Sequence, residues 1–559
     1  MKFKDQVLNL LSQNYVLILI LLLASFLRLY RLDLLPLFGD ELDVGYHALS
    51  LATTARDYYG QLLPTYIHSL AEWRAPLLMY FTAPFTYLFG LSQFSVRLFP
   101  ALMGIANVFL LYSLVLKTSS KKSLALLSAL VLAISPWHLH YSRAAFEVTL
   151  LLTLLLSGTL SFLARRFSLS ALLFALSLYT YNTANIFLPL WLVFLFLSQF
   201  KALKKDFRQL LLPALVFLAL SLPILLSILK GEAATRFQSI SIFSNPQAHD
   251  ELISKRTTGL APAKERIFHN KATVWGRQFA ENYLTALSPE FLFLKGGPNP
   301  RHSVPGFGVL YLIFAPFFLW GVFRLLLLKD KNFSRLVMAW LLLAPIPSSL
   351  TVGGGTHSTR LFLLLPALSI IIALGLQAFI QKFKTIALPL LFILISPFTI
   401  SWFHEYLVHY PKEQSEYWQQ GYQEAFQFIK DSQNNYQRIF INNSHEPALL
   451  HYLFWTSQKP AWFQQTFSGD GPDQPLYQDY SGFRLAEKIY FGQIETIYTQ
   501  TWLEQNLSSQ DLYLAVQGDE IPGDWDWSKS PPNGVKVLKT VSDAWGHPYL
   551  IWLTGSKDQ

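Results

Sequence analysis

Uncharged apolar runs recur along this chain from Tyr15 to about Phe403. A run of roughly 18 or more such residues is long enough to cross a bilayer as a helix, and that recurrence constrains the fold more than any other feature. Composition agrees: 52% of the 559 residues are hydrophobic and only 14% charged, against about a quarter charged in a soluble chain. The apolar excess is lipid-facing surface rather than one very large core. Eleven helical spans are expected, at 14–32, 96–116, 123–141, 148–164, 169–183, 186–200, 209–229, 306–328, 334–351, 359–380 and 385–403. The apolar stretch 76–90 is left out. It is about 15 residues long and holds Pro76 and Pro84, which favours a re-entrant or interfacial segment. Residues 1–31 resemble a signal peptide, but no small-residue cleavage pattern follows and Arg28 and Arg31 end the stretch, so a retained first helix is expected.

Charge orients the spans. The net charge is +9, yet the part from Pro411 onward has 10 Lys and Arg against 18 Asp and Glu, which leaves +17 upstream. That excess sits in short loops: Lys117/Lys121/Lys122, Arg165/Arg166, Lys201/Lys204/Lys205/Arg208, Lys329/Lys331/Arg335 and Lys382/Lys384. With the N-terminus cytoplasmic and 76–90 not spanning, every one of these loops is cytoplasmic, as the positive-inside rule requires. The same distribution argues against a nucleic-acid partner. The polar segments 33–75, 138–147, 181–185, 231–304 and 352–360 then share the outer side. The domain plan is a membrane part over 1–410, with a first outer loop 33–95 and a long outer loop 231–304, and an outer domain over 411–559. In the latter, β-like runs at Arg438–Asn442, Leu512–Val516, Val535–Val541 and Tyr549–Leu553, with helical patterning at Glu413–Lys430 and Ala448–Trp455, predict a small α/β fold. There is no cysteine, so disulfides and thiolate metal sites are excluded. An outer domain without disulfides fits a prokaryotic plasma membrane.

Several outer segments carry chemistry. Asp40, Glu41 and Asp43 lie within four residues of one another at the membrane surface, where acids are disfavoured unless solvated, paired or functional. One could serve as a general base toward an acceptor hydroxyl or amine. Alternatively Asp40 simply caps a helix running from Glu41 to about Tyr58. Arg143 and Glu147 are four apart and could share a helical face as an ordinary ion pair. His138 and His140 form an H-x-H pair, a weak metal signal that satisfied interfacial histidines explain better. Arg74, in Trp73-Arg74-Ala75-Pro76-Leu77, lies where a lipid phosphate would sit; interfacial snorkelling is the competing account. Gly353-Gly354-Gly355-Thr356-His357-Ser358-Thr359-Arg360 could hold an anion at a helix start. Tyr181, Asn182 and Asn185 place a phenol and two amides on the outer side, for sugar recognition or only as an aromatic-belt turn.

Taken together, Asp40-Glu41, the Trp73–Leu77 entry with Phe94-x-x-Arg97-Leu98, Arg143 with Glu147, and His357-x-x-Arg360 resemble the GT-C glycosyltransferases. The nearest branch is that of protein O-mannosyltransferases and lipid A aminoarabinose transferases. Tyr181, Pro189 and Ser288-Pro289-Glu290-Phe291-Leu292-Phe293 also look like bacterial relatives, and the resemblance covers roughly residues 10–405. It implies a polyprenyl-phosphate sugar donor and an inverting transfer to a protein, lipid or glycan acceptor on the outer face. It further implies Asp40 as base with Glu41 in support, Glu147 as the second acid, and Arg74, Arg143, His357 and Arg360 near the donor phosphate. Relatives often have Lys-Pro or Pro-Pro after that basic residue, and Ala75 departs from the pattern. No cofactor is expected: this branch generally works without a divalent metal, although Glu147 near His138 and His140 leaves one open. A lipid-linked sugar transporter and a non-catalytic scaffold are the competing functions. Transporters tend to repeat their halves and carry mid-span charge, and neither pattern is visible in this sequence.

Overall fold

The computed structural model describes residues 2–69, 73–231, 234–258, 262–444, 447–467, 473–521 and 523–556, with side chains from Asn14 onward. The N-terminal three-quarters is helical. Its first nine helices are α1 (Lys2–Leu29), α2 (Gly39–Thr54), α3 (Leu77–Phe89), α4 (Gln93–Ser119), α5 (Lys122–Ile134), α6 (Pro136–Ser142), α7 (Glu147–Leu163), α8 (Phe167–Ser177) and α9 (Ala184–Ser198). All eleven segments expected to span are helical at their centres. Among the described residues, three helical runs are long and apolar enough to cross a membrane: Gln93–Ser119, Phe207–Leu229 and Ser358–Glu413. The bent pair α5–α6 adds a fourth. The 13 residues of α3 rise about 20 Å, well short of the roughly 30 Å hydrocarbon core.

Local sequence explains the breaks that shape the site. Between α5 and α6 the chain turns by 60° at Ser135-Pro136. Proline lacks the N–H that would continue the helix and pushes the preceding residue into extended geometry, and Ser135 has ψ 124°. The bend carries His138 to Arg143 inward, where all are buried. At the start of α4, Ser92 and Ser95 cap each other reciprocally. One turn on, Arg97 reaches back to the carbonyls of Leu32 at 3.2 Å and of Leu35 and Pro36 at 2.7 Å. The strap between α1 and α2 is thereby pinned to α4. The membrane-part core is aliphatic, with Ala24, Leu111, Leu132, Leu151 and Ile371 fully buried where these helices meet.

The C-terminal part is an α/β domain. A short hairpin of β1 (Ile67–His68) and β2 (Trp73–Arg74) lies between α2 and α3. The domain itself holds β3 (Arg438–Asn442), β4 (Gln474–Tyr477), β5 (Tyr480–Leu485), β6 (Ile489–Ile494), β7 (Asp511–Val516), β8 (Val535–Ser542) and β9 (Pro548–Gly555), in the order β4-β5-β6-β3-β7-β9-β8. β3 pairs in parallel with β6 and β7, and the other pairs are antiparallel. The helix predicted over Glu413–Lys430 is shorter, Tyr422–Ser432, because Gly421 at φ +95° breaks the run. Helix Ala448–Trp455 packs on α2, where Phe454 meets Gly45 and Tyr46 Oη donates to the Gln458 carbonyl at 3.2 Å.

Candidate active site

α2 begins at Gly39 after an extended Phe38 (ψ 169°), with no side-chain cap. Asp40 is therefore not a helix cap, and the helix expected over Glu41–Tyr58 instead runs Gly39–Thr54. The three acids of this first turn diverge. Asp40 is 60% exposed, whereas Asp43 and Glu41 are buried. The β1–β2 hairpin, in which Ile67 pairs with Arg74, lays Arg74 across the open side of α2. Its Nη2 lies 3.2 Å from Asp40 Oδ2 and 3.7 Å from Glu147 Oε1, and its Nη1 donates to Asp43 Oδ2 at 3.1 Å. Burial disfavours the charge on Arg74, but Asp40, Glu147 and Asp43 together outweigh it and hold its pKa above the usual value. Arg74, expected at the donor phosphate, is thus the hub of a carboxylate triad. A guanidinium fork with in-plane donors suits that role.

Behind the hub, Tyr58 Oη donates to Asp43 Oδ1 at 3.1 Å. His47 stacks on Tyr58 with ring centres 3.8 Å apart, and burial lowers its pKa to about 4, so the ring is neutral. Glu41 turns the other way. It accepts from Arg97 Nε at 2.7 Å and Nη2 at 2.5 Å, and from the Ala145 N–H at 2.9 Å. Glu41, expected in support of Asp40, is a buried tie between α2, α4 and the segment before α7.

Arg143 is corrected too. Glu147 opens α7 while Arg143 ends α6, so the two are not on one helical face. Arg143 donates instead to the carbonyls of Leu27, Arg28, Tyr30 and Arg31, satisfying the open end of α1. The two histidines also part. His138 Nδ1 lies 2.7 Å from Arg28 Nη2, and His140 Nε2 lies 2.8 Å from the Arg301 carbonyl.

Asp40, Arg74 and Glu147 line a cavity of about 100 Å³ together with Tyr181, Asn182 and His357. Tyr66 Oη donates to Asn182 Oδ1 at 3.0 Å, fixing that amide. His302, which sequence reasoning missed, lines the same cavity. Its Nδ1 lies 3.3 Å from both Tyr141 Oη and Thr359 Oγ1, and its ring centre 5.5 Å from that of His357. Burial lowers its pKa to about 4. The preceding Pro-Asn-Pro-Arg offered no motif. Arg360 donates to Thr351 Oγ1 at 2.7 Å and lines a smaller cavity that shares Tyr181 and Asn182 with the first. Asn185, in the first turn of α9, lines neither of these cavities. One small cavity thus gathers an accessible carboxylate and two imidazoles, with a guanidinium lining the adjoining one: a group that can take a proton and donors suited to a developing negative charge.

A family model described as dolichyl-phosphate-mannose-protein mannosyltransferase matches residues 73–226, the segment that carries Arg74, Glu147 and Tyr181. A Bacillus subtilis (strain 168) protein named "Putative mannosyltransferase YycA" is 27% identical over 265 residues, which is 44% of this chain and 37% of that protein. The alignment thus spans well under half of that relative. ArnT from Cupriavidus metallidurans, solved bound to undecaprenyl phosphate, superposes over 96% of this chain and 98% of its own with a TM-score of 0.51 at 12% identity, a likeness of fold. The chain is thus similar over residues 73–226 to the mannosyltransferase family model and shares its overall fold with ArnT.

Proposed function

We propose that the chain transfers a monosaccharide from a polyprenyl-phosphate donor to an acceptor on the outer face of the plasma membrane, with inversion at the anomeric carbon. The observation that carries this reading is Asp40: an accessible carboxylate 3.2 Å from Arg74, at the edge of a polar cavity bordered by apolar helices. The undecaprenyl phosphate bound to ArnT, which shares the fold, supports the donor class. In the reaction an acceptor hydroxyl or amine attacks the anomeric carbon while the bond from that carbon to the phosphate oxygen breaks. The phosphate departs with the bonding pair as the lipid monophosphate, and Asp40 takes the acceptor proton. Arg74 holds Asp40 in place from 3.2 Å, and Glu147 completes the acidic wall. Arg360 and His357 receive the phosphate, whose growing charge needs positioned donors, while Tyr181 and Asn182 contact the sugar. Glu41 acts at one remove by seating the first turn of α2. The eleven-span topology, with cytoplasmic N-terminus and an outer domain from residue 411, is part of the same proposal. The test is transfer of radiolabel from a polyprenyl-phosphate hexose in membranes bearing the wild type or Asp40→Asn. Product from the wild type excludes a pure carrier or scaffold; equal product from both excludes Asp40 as the base.

A further inference from the structure

The outer domain holds a second cavity that the transfer chemistry does not use. In its sheet, β3 is flanked by β6 on one side and β7 on the other, both parallel to it. Where a parallel sheet is wound outward in both directions, a crevice opens beyond the carboxyl ends of the strands, and ligands bind there. Such a crevice is present as a cavity of about 520 Å³. Asn442 at the end of β3, Gln493 near the end of β6, and Asp519 and Glu520 after β7 contribute to it, with Ser481 and Tyr498 alongside.

The chemistry of the lining narrows the ligand. No lysine or arginine is among the described residues lining it, and Asp479, Glu495, Asp519 and Glu520 all are, so an anion is excluded. Glu520 is 2% exposed. It accepts from Tyr513 Oη and from the Val516 N–H. Burial pushes its carboxyl up to about 7, so near neutral pH it can donate as well as accept a hydrogen bond. Asn442 is 3% exposed and its Oδ1 already accepts from the Ser444 N–H and Oγ. Its side-chain amide adjoins the Glu520 carboxyl and favours the ionised form, against the larger effect of burial. The Asn442 amide and the Glu520 carboxyl thus form one polar wall of the crevice. Amides, hydroxyls and a carboxyl that works both ways, with a tyrosine at hand, match a polyol. A cationic peptide would want fully ionised carboxylates and leave the amide donor idle.

We infer that the crevice at the carboxyl ends of β3, β6 and β7 binds a neutral saccharide. Just after β3, Asn443 Oδ1 accepts from the Ala448 N–H, and the neighbouring Pro447 packs against Gly39 beside Asp40; a Cβ at Gly39 would lie 3.2 Å from Pro447 Cγ. A glycan held in the crevice is thereby joined through one short loop to the start of α2. Its assignment as part of the acceptor rests on the proposed transfer; saccharide binding itself does not.

The test uses the full chain in detergent micelles and saturation-transfer difference NMR, with mannobiose, cellobiose and chitobiose as saccharide probes and inorganic phosphate and calcium as alternatives. At least one disaccharide should bind with a dissociation constant on the order of millimolar. The exposed Gln493→Ala and the isosteric Glu520→Gln should each weaken that binding about tenfold or more, with the thermal unfolding of Gln493→Ala unchanged. The inference is overturned if no disaccharide binds at tens of millimolar, if Gln493→Ala folds normally and binds as the wild type does, or if calcium or phosphate occupies the crevice in the sugar's place. Radiolabel transfer, measured separately, reports on the catalytic reading whichever way the binding falls.

Discussion

Replacing Glu41 by alanine should destabilise the protein rather than disarm it chemically. Glu41 is fully buried and its partner Arg97 is 1% exposed. The carboxylate accepts two bonds from that guanidinium and one from the Ala145 N–H. Removing one member of such a pair leaves an uncompensated buried charge, which costs about 3–5 kcal/mol. The orphaned Ala145 N–H adds roughly 1–3 kcal/mol unless water reaches it. Arg97→Ala should be at least as damaging, because three strap carbonyls lose their donor as well. The double change Glu41→Leu with Arg97→Met removes both charges and keeps the volume filled, so it should be several kcal/mol more stable than the two single losses add up to. Unfolding free energies from SDS titration in mixed micelles, on wild type, both singles and the double, give the coupling directly. Radiolabel transfer by the double variant, once folded, completes the assay. A Glu41→Ala protein of wild-type stability with no transfer would refute the reasoning and return Glu41 to the chemistry.

Asp40→Asn should leave the fold intact, since the side chain is mostly exposed, and lower transfer about 10²–10⁴-fold. Arg74→Lys should depress turnover more than donor affinity, whereas Arg360→Ala should weaken donor binding by roughly 1.5–3 kcal/mol; kcat and KM for the lipid donor separate the two. Because the chain has no cysteine, single cysteines report topology cleanly: positions 60, 270 and the exposed 497 should label from outside, and 121 and 204 only after permeabilisation. Glu520 gives a pH dependence. Its carboxyl is raised from 4.5 to about 7 in the fold, so between those values the native state holds a proton that the unfolded chain has lost. Stability should therefore fall by about 3 kcal/mol as pH rises from about 4.5 to 7, and Glu520→Gln should flatten that slope in pH-dependent unfolding.

What the sequence disclosed was local or periodic. The β-like run Arg438–Asn442 and the helical run Ala448–Trp455 appear in the structure at the same limits, because each is set by its own residues. The hairpin of β5 and β6 escaped notice: Gly482 and Gly492 face each other across it and thin the β signal. Edge strand β4 is mostly solvated and includes Pro475. At the site, Asp40, Arg74 and Glu147 were legible as types in order, and the structure brings all three to one cavity. Arg143 was misread because its four acceptors lie more than 110 residues upstream, beyond any spacing rule. His302 reaches the cavity from the long outer loop, and nothing near it in sequence marks it out.

Gly45 has a practical consequence for anyone building chimaeras. A methyl there would lie 2.6 Å from the Phe454 ring and 2.7 Å from Val96 Cγ2, so α2 is wedged between the outer domain and α4 with no room for even one carbon. Further along the same helix, Gln464 of the outer domain bonds Ser50 and Thr54. An outer domain exchanged between relatives to change the acceptor must therefore bring a matching α2 face with it. That face lies on the helix that carries Asp40, so exchanging the domain alone would also disturb the helix that holds the proposed base.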